Sequence, residues 1–450
     1  MTKLPEDFVS RIKEQRADAH ELFKALNDEA PVSIRFNPRK EITQFQDNES
    51  VPWCELGRYL TERPSFTKDP LFHAGTYYPQ EAGSMFIDTI LKQITLPDDC
   101  VALDLCAAPG GKSTIILDNI SDTSLLISNE IVRNRAYILR DNLSRWGKAN
   151  VLVTNRNPAD FGAISGLCDL ILIDAPCSGE GMFRKDLNAR LEWSTKNAGQ
   201  CAARQTEIIN DVWPALKDGG YLIYSTCTFN PDENHKQIER LLLEKDCELV
   251  HLDFPTNYNL EVQEIQHVAL GTVGYSCFPH KMKTEGFFFS LLRKTESTRH
   301  SQRKNKKEAK NNKTTLLDLP NFQAPKNHRI VCINDAFYLV PENQAGFMVH
   351  LQQQLSCMKF GVRLGEVLSN KWIPHYEYAL SIFDKPQFAS SELSLQSALT
   401  YLKGHPLSLE GKDGWHLAQY QGHSLGWLKK IGNRSNNYYP KELRIKMELD

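Results

Sequence analysis

Six short apolar runs between residues 101 and 293 constrain the fold of this chain more than any other feature of its sequence. They alternate with stretches of helical spacing, of which Cys201–Leu216 is the clearest, and Lys217-Asp-Gly-Gly220 after it predicts the end of that helix. Strands that alternate with helices predict an α/β fold with a doubly wound, Rossmann-like parallel sheet, whose ligand crevice lies at the carboxyl ends of the strands. The runs are Val101–Cys106, Leu125–Ser128, Val151–Thr154, Leu170–Asp174, Tyr221–Ser225 and Gly286–Arg293.

A glycine-rich turn, Ala107-Ala-Pro-Gly-Gly-Lys-Ser113, follows the first of these runs. It is not a phosphate-binding P-loop, because the required glycine five residues before Gly-Lys-Ser is replaced by Cys106, and the NAD pattern G-x-G-x-x-G is also absent. Gly110 and Gly111 let the backbone approach a ligand closely, and a helix that begins near Ser113 directs its dipole at the bound group. This pattern favours S-adenosylmethionine as the cofactor, while a turn that is only tight, without a ligand, is the structural alternative.

Two polar residues extend the predicted cofactor site. The second strand is predicted to end at Glu130, two residues beyond the apolar run, where an acid binds ribose hydroxyls in this architecture. Asn157 ends the third strand in this prediction, within reach of the adenine.

Two cysteines stand just after neighbouring strands. Cys177 lies in Asp174-Ala-Pro-Cys-Ser-Gly179, and Cys227 lies in Ser225-Thr-Cys-Thr228. Adjacent strands are about 4.8 Å apart, so both thiols could face one target base. Addition of a thiolate to carbon 6 of a cytosine turns carbon 5 into a nucleophile, and a protonated Asp174 could donate to the ring near N3. The pattern therefore predicts methyl transfer to carbon 5 of a pyrimidine. Methylation of amino groups is disfavoured, because those enzymes usually place an aromatic residue where Cys177 stands.

At these motifs the sequence resembles the Nop/Sun family of RNA (cytosine-5) methyltransferases. The resemblance rests on Leu103–Ser113, Asp174–Gly181 and Ser225–Thr228, with Ser33–Asn37 and Tyr78–Met85 matching its amino-terminal elements, and it covers about residues 30–294. The tail, with Gly426-Trp, Gly432-Asn-Arg434 and Asn436–Lys441, resembles the PUA-like domain of the bacterial RsmF type, which modifies small-subunit ribosomal RNA.

The resemblance implies a role for each motif. Cys227 is the expected nucleophile, Cys177 assists release of the product, and Asp174 contacts the cofactor. The family usually has aspartate where this chain has Asn157, so an amide would have to replace that carboxylate contact. The other expected cofactor contacts are Cys106, Ala107, Ala108, Pro109, Gly110, Gly111, Lys112 and Glu130.

The remainder of the chain predicts a three-part organisation around this catalytic domain, residues 76–294. Residues 1–75, with a polar helix over Glu6–Leu26 and a strand over Val32–Asn37, form a small α/β appendage. Residues 295–315 form a basic linker, because Arg293–Lys313 contains no aliphatic side chain larger than alanine. Residues 316–450 form a β-rich, PUA-like RNA-binding region.

Charge is distributed unevenly along the chain. Residues 294–450 carry 22 lysines and arginines against 14 acids, whereas the rest carries 31 against 41. A basic tail is compatible with docking to RNA, with the Tyr438 and Tyr439 rings stacking on bases beside Lys441, although a solvated linker alone could also account for the excess.

Cysteine usage and hydropathy limit the cellular compartment expected for this protein. Eleven scattered cysteines without a C-x-x-C pair predict neither a disulfide framework nor a metal site, and no apolar run reaches membrane-spanning length. We therefore expect a monomeric cytoplasmic enzyme whose partner is RNA, most simply ribosomal RNA or the small ribosomal subunit. Alternatives that stay open are the same chemistry on transfer RNA and a non-catalytic RNA-binding assembly factor. A DNA methyltransferase, which would use the Pro-Cys thiol as nucleophile, is less consistent with the Thr-Cys motif.

Overall fold

The computed structural model of the chain describes residues 3–264, 272–295, 324–369 and 371–448. The predicted basic linker, residues 295–315, lies outside these ranges except for Thr295.

The amino-terminal part forms a four-stranded antiparallel sheet with the order β2-β3-β1-β4. The single helix predicted over residues 6–26 is wrong: α1 ends at Gln15, Arg16 has an extended backbone, and a second helix follows. Arg16, between the two helices, forms ion pairs with Asp18 and Glu261. The elements are α1 Glu6–Gln15, α2 Ala19–Ala25, β1 Val32–Phe36, β2 Ser50–Val51, β3 Cys54–Leu60, α3 Pro70–Ala74 and β4 Tyr77–Pro79.

The central sheet confirms the predicted doubly wound architecture. Five parallel strands lie in the order β9-β8-β5-β6-β7, and antiparallel strands extend both edges. All six predicted runs are strands, although the first ends at Asp104 rather than Cys106. The elements are α4 Phe86–Lys92, β5 Val101–Asp104, α5 Gly111–Asn119, β6 Leu125–Asn129, α6 Arg133–Trp146, β7 Val151–Thr154, α7 Pro158–Gly162, β8 Cys168–Asp174, α8 Leu187–Glu192, α9 Thr195–Val212, β9 Leu216–Thr226, α10 His235–Glu244, β10 Cys247–Leu249, β11 Glu261–Glu264, β12 Thr272–Cys277 and β13 Phe287–Lys294.

Fully buried side chains on both faces of the sheet explain why its strands are continuous apolar runs. One face packs through Leu126, Val153 and Leu172, and the other through Leu103, Ile127 and Ile173. The sheet is therefore a rigid base for the loops at its carboxyl edge.

The helix end predicted at residues 217–220 is wrong. Helix α9 ends at Val212, a 3₁₀ turn over Trp213–Ala215 contains Pro214, and β9 already begins at Leu216. Gly219 and Gly220 lie inside that strand, where its register with β8 shifts.

The tail contains two four-stranded sheets, with the orders β14-β15-β17-β18 and β19-β20-β21-β22. A further strand, β16, extends the central sheet by pairing with β7. The elements are β14 His328–Ile333, β15 Ala336–Pro341, α11 Ala345–Leu355, β16 Lys359–Phe360, β17 Val362–Leu368, β18 Lys371–Pro374, α12 Tyr376–Leu380, β19 Ala389–Glu392, α13 Leu395–Leu402, β20 Gly414–Tyr420, β21 His423–Ile431 and β22 Arg434–Asn437.

The tail is packed onto the rest of the molecule. Met348 and Leu351 of α11 belong to the same apolar cluster as strands β5 and β6. The Lys40 ammonium donates to the carbonyls of Ala74, Arg145 and Leu380, at 2.8, 2.5 and 2.6 Å. One side chain thus joins the amino-terminal part, helix α6 and the tail.

Candidate active site

The glycine-rich turn lies between the end of β5 and the start of α5, which begins at Gly111, two residues before the predicted start. Gly110 has a φ of +116°, which favours glycine, and a Cβ there would lie 3.2 Å from Leu139. The Ala107 N–H donates to Asn129 on β6. Arg135 and Asn142 of α6 donate to the carbonyls of Ala108 and Pro109, at 2.7 and 2.8 Å. Four segments therefore fix the conformation of the turn.

Glu130 follows the last residue of β6 directly and is almost fully buried. Its carboxylate accepts from the Val132 N–H at 2.9 Å and lies 3.3 Å from the Arg135 guanidinium. Next to it, Ile131 and Val132 are 58% and 48% exposed, which is unusual for large apolar side chains. Neither residue was among the predicted site residues, although an apolar pair directly after the predicted ribose-binding acid was a usable signal.

Asn157 does not end the third strand, since β7 ends at Thr154. The side chain is exposed and Asn157 caps helix α7, with its N–H bonded to Asp160. Instead, Asn155 lies against the predicted cofactor site, donating to the carbonyls of Glu130 and Ile131 at 2.6 and 2.8 Å. The cofactor contact of Asn157 stays a prediction.

Lys112 and Asp174 form an ion pair at the edge of the sheet. The lysine Nζ lies 2.8 Å from Asp174 Oδ2, and the Ser225 hydroxyl donates to Oδ1 at 2.8 Å. Burial works against the charge of the lysine, but the attraction of Asp174 outweighs it and raises the pKa of Lys112. Ser225 was part of the predicted motif but not of the predicted site. Its position opposite Asp174 follows from the register of β8 and β9.

Cys177 and Cys227 face each other, with their sulfur atoms 3.2 Å apart. The parallel pairing of Asp174 with Ser225 brings the two following loops to the same edge of the sheet. The sulfur contact and burial together raise the pKa of Cys177 well above its ordinary value. Burial likewise raises the pKa of the Cys106 thiol in the turn. The prediction that both strand-end thiols could face one base is compatible with this geometry.

The tail differs from the prediction at one tyrosine. Tyr439 is 3% exposed and packs against Tyr401, so its ring cannot stack on RNA as expected from the sequence. Tyr438 is 38% exposed and contacts the Trp415 ring, over which Lys429 lies at 5.0 Å. The exposed Tyr438 and the partly buried Trp415 and Lys429 therefore form one aromatic and basic surface of the tail.

Two other features bear on the expectations from the sequence. Within the ranges that the structure describes, no helix is both long and apolar enough to cross a membrane. In the same ranges, no three histidine, cysteine, aspartate or glutamate side chains come together in a way that could hold a metal ion.

Comparison with known proteins agrees with this architecture. A family model described as 16S rRNA methyltransferase RsmB/F matches residues 92–293. Models of the N-terminal domain of 16S rRNA methyltransferase RsmF and of the methyltransferase RsmF PUA domain match residues 4–82 and 388–445.

Similar relatives and structures extend over most of the chain. The ribosomal RNA small subunit methyltransferase F of Aeromonas salmonicida is 32% identical over 415 residues, 88% of this chain and 85% of that protein. The protein of the same name from Aliivibrio fischeri strain MJ11 is 30% identical over 474 residues, 98% of this chain and 97% of its own length.

Among solved structures, a methyltransferase homolog from Pyrococcus horikoshii is 26% identical with a TM-score of 0.53, covering 65% of this chain and 100% of that chain. NSun6 from Pyrococcus horikoshii with SFG is 20% identical with a TM-score of 0.54, covering 65% and 99%.

The sheet order, the glycine-rich turn and the acid after β6 thus define an S-adenosylmethionine-dependent methyltransferase. Within that class, the chain belongs to the family of ribosomal RNA small subunit methyltransferase F.

Proposed function

We propose that this protein methylates carbon 5 of a cytosine in small-subunit ribosomal RNA, with Cys227 as the nucleophile. The observation that carries the proposal is the 3.2 Å separation of the Cys177 and Cys227 sulfur atoms beside Asp174. Two thiols at the ends of neighbouring strands suit a reaction in which one sulfur bonds to the base and the other assists its release. The names of the relatives support ribosomal RNA as the polymer.

The residues at the sheet edge fit S-adenosylmethionine. Lys112, paired with Asp174 in the structure, offers a positive charge to the carboxylate of its methionine part. Glu130 offers a carboxylate to ribose hydroxyls, and the exposed Ile131 and Val132 offer an apolar surface to the adenine. When bound, the cofactor supplies an electrophilic methyl group.

Cys227 acts first in the proposed mechanism. Its thiolate adds to carbon 6 of the cytosine, and the ring electrons that move to carbon 5 make that atom nucleophilic enough to take the methyl group. A base must then take the carbon 5 proton, after which the bond between sulfur and carbon 6 breaks, the Cys227 thiolate leaves and the aromatic ring is restored. The raised pKa of Cys177 keeps this second thiol protonated in the free protein, which leaves the attack to Cys227. Cys177 can take the carbon 5 proton only after its own proton has passed to solvent.

Asp174 is the candidate donor to the base. In the structure its two oxygens accept from Lys112 and Ser225. Donation from Asp174 to N3 therefore requires this carboxylate to take up a proton after Lys112 has turned to another acceptor, and we propose that the carboxylate of the cofactor is that acceptor. The contact of Lys112 would then couple cofactor binding to the protonation state of Asp174, the acid at the target base.

The test is transfer of labelled methyl groups by the purified protein to small-subunit ribosomal RNA, transfer RNA and DNA, followed by bisulfite sequencing of the products. The proposal expects one 5-methylcytosine in small-subunit RNA, given either as free RNA or as the assembled subunit. Methylation of transfer RNA alone would show that the protein carries out the same reaction on transfer RNA instead of ribosomal RNA. Absence of transfer to every polymer would favour the non-catalytic assembly factor and contradict the proposal.

A further inference from the structure

A buried row of four polar side chains runs between the loops that carry the two thiols. Ser178 and Thr228 directly follow Cys177 and Cys227, and their hydroxyl oxygens lie 2.9 Å apart. Glu233 closes the row on the Ser178 side, and Glu180 reaches Thr228 on the other. None of the four is more than 7% exposed. The row therefore links the two loops on the side of the sulfur atoms that faces the protein interior.

Glu233 holds the Cys177 side of this row. Its carboxylate accepts from the Ser178 N–H at 2.8 Å, from the Ser178 hydroxyl at 2.5 Å and from Gln205 Nε2 at 3.1 Å. Gln205 also donates to the carbonyl of Pro176 at 3.0 Å. The residues on both sides of Cys177 are thus held by one carboxylate and the amide that contacts it.

The segment that carries Cys177 has few other hydrogen bonds. Strand β8 ends at Asp174, and the Ala175 N–H still donates to Ser225. The next backbone bond to the β9 side joins the Gly181 N–H to the carbonyl of Cys227. Between these two points, the position of Cys177 depends on the contacts of Pro176 and Ser178.

We propose that Glu233 is a positioning residue that holds the Cys177 loop against the end of β9, so that the two sulfur atoms stay in contact. It acts through Ser178 and touches neither the base nor the cofactor. The Tyr224 hydroxyl donates to the main-chain carbonyl of Glu233 at 2.6 Å, which anchors the positioning residue itself to β9. The catalytic consequence rests on the proposed function, whereas the geometric consequence does not.

The proximity of the thiols can be measured without any substrate. Diamide takes two electrons and two protons from the thiol pair and leaves a disulfide. The rate of Cys177–Cys227 disulfide formation, read by mass spectrometry of the peptide pair, therefore reports how closely the loops are held. We expect Glu233→Ala to slow this rate about tenfold or more, because a misplacement of about 1 Å already has large effects on reactions between oriented groups.

Glu233→Gln should recover most of the rate, since the amide oxygen can still accept from Ser178. Glu244→Gln, the same change at an exposed position of α10, is the matched control and should match the wild type. Ser178→Ala removes the hydroxyl contact and should also slow the reaction, and it decides the question if Glu233→Ala does not fold.

Activity supplies the second readout. Glu233→Ala should lower kcat for methylation and leave KM for RNA nearly unchanged, with partial recovery in Glu233→Gln. A folded Glu233→Ala protein that forms the disulfide at the wild-type rate would overturn the positioning role. Slow disulfide formation in a protein without methyltransferase activity on any polymer would instead leave the positioning role intact and contradict the proposed function.

Discussion

The Lys112 ammonium lies 2.8 Å from the Asp174 carboxylate and links the glycine-rich turn to the end of β8. The pair stands between the residues proposed for the cofactor and those proposed for the base. An ion pair at this position can exchange partners with a ligand that carries both charges. The affinity for the cofactor and the protonation of Asp174 are therefore both expected to depend on Lys112.

Cofactor binding should depend on the turn and on the acid after β6. Gly110→Val forces a branched side chain into a backbone conformation with a φ of +116° and toward Leu139, and Glu130→Ala removes the proposed ribose contact. Both should weaken binding of S-adenosylmethionine by calorimetry while circular dichroism stays unchanged. Gly166→Val, at a positive φ where an added Cβ would meet no atom within 4 Å, is the control for backbone strain alone. Wild-type affinity in both site variants would contradict the assignment.

RNA affinity should depend on the aromatic and basic surface of the tail that Trp415, Lys429 and Tyr438 form. Lys429→Ala and Tyr438→Ala should each weaken binding of small-subunit RNA, and only the lysine change should reduce the slope of log affinity against log salt, by about one. Lys92→Ala on helix α4 is the matched control. Equal salt slopes for wild type and Lys429→Ala would assign the tail another role.

Removal of the whole tail is a less informative experiment than these substitutions. Met348 and Leu351 share a core with the central sheet, so a chain that ends near residue 294 would expose that apolar surface. We expect such a truncation to lose stability as well as RNA affinity.

The contact of Lys40 with three carbonyls should stabilise the docked tail. Lys40→Met keeps the aliphatic stem and leaves the three carbonyls without this donor, which should cost about 1–3 kcal/mol and lower Tm. Arg39→Met, at the neighbouring exposed position, should leave Tm nearly unchanged. Equal Tm values for the two variants would show that water donates to the three carbonyls in place of the Lys40 Nζ.

The stability of the fold should respond to pH through Glu233. Burial raises the pKa of this carboxyl to about 7, whereas in the unfolded chain it returns to about 4.5. Because the folded protein binds this proton more tightly, the stabilisation is complete below pH 4.5 and is lost as the pH rises through 7. It amounts to at most about 3 kcal/mol. The side chain in Glu233→Gln does not titrate. The Tm of this variant relative to that of the wild type should therefore rise as the pH increases from 5 to 8. Parallel Tm curves for the two proteins would contradict the raised pKa.

The fold was largely predictable because buried parallel strands have a distinctive sequence. Runs such as Leu170–Ile173 are apolar throughout, since both faces of the sheet are covered. Element ends were less predictable. The paired Gly219 and Gly220 indicate a helix end locally, yet β9 pairs with β8 on both sides of them, at Leu216 and Tyr221.

Long-range contacts decide the residues that the sequence could not assign. Tyr438 and Tyr439 are equivalent by type, but Tyr439 is buried by Tyr401 and lies near His73, which is far away in the chain. Glu233 meets Ser178 across 55 positions for the same reason. Asp174 and the two cysteines could be recognised because Asp174 is the last residue of a strand that the sequence itself marks, and each cysteine follows such a strand.

The roles of the two thiols are the central claim, and a denaturing gel of each cysteine variant with substrate RNA tests them most directly. Cys177→Ala should complete addition and methyl transfer and then stall, giving a slow, ribonuclease-sensitive band of protein bonded to RNA through Cys227. Cys227→Ala should give neither this band nor methylated RNA, because no sulfur can add to carbon 6. A band from Cys227→Ala and none from Cys177→Ala would contradict the assignment, since the Pro-Cys thiol would then be the nucleophile.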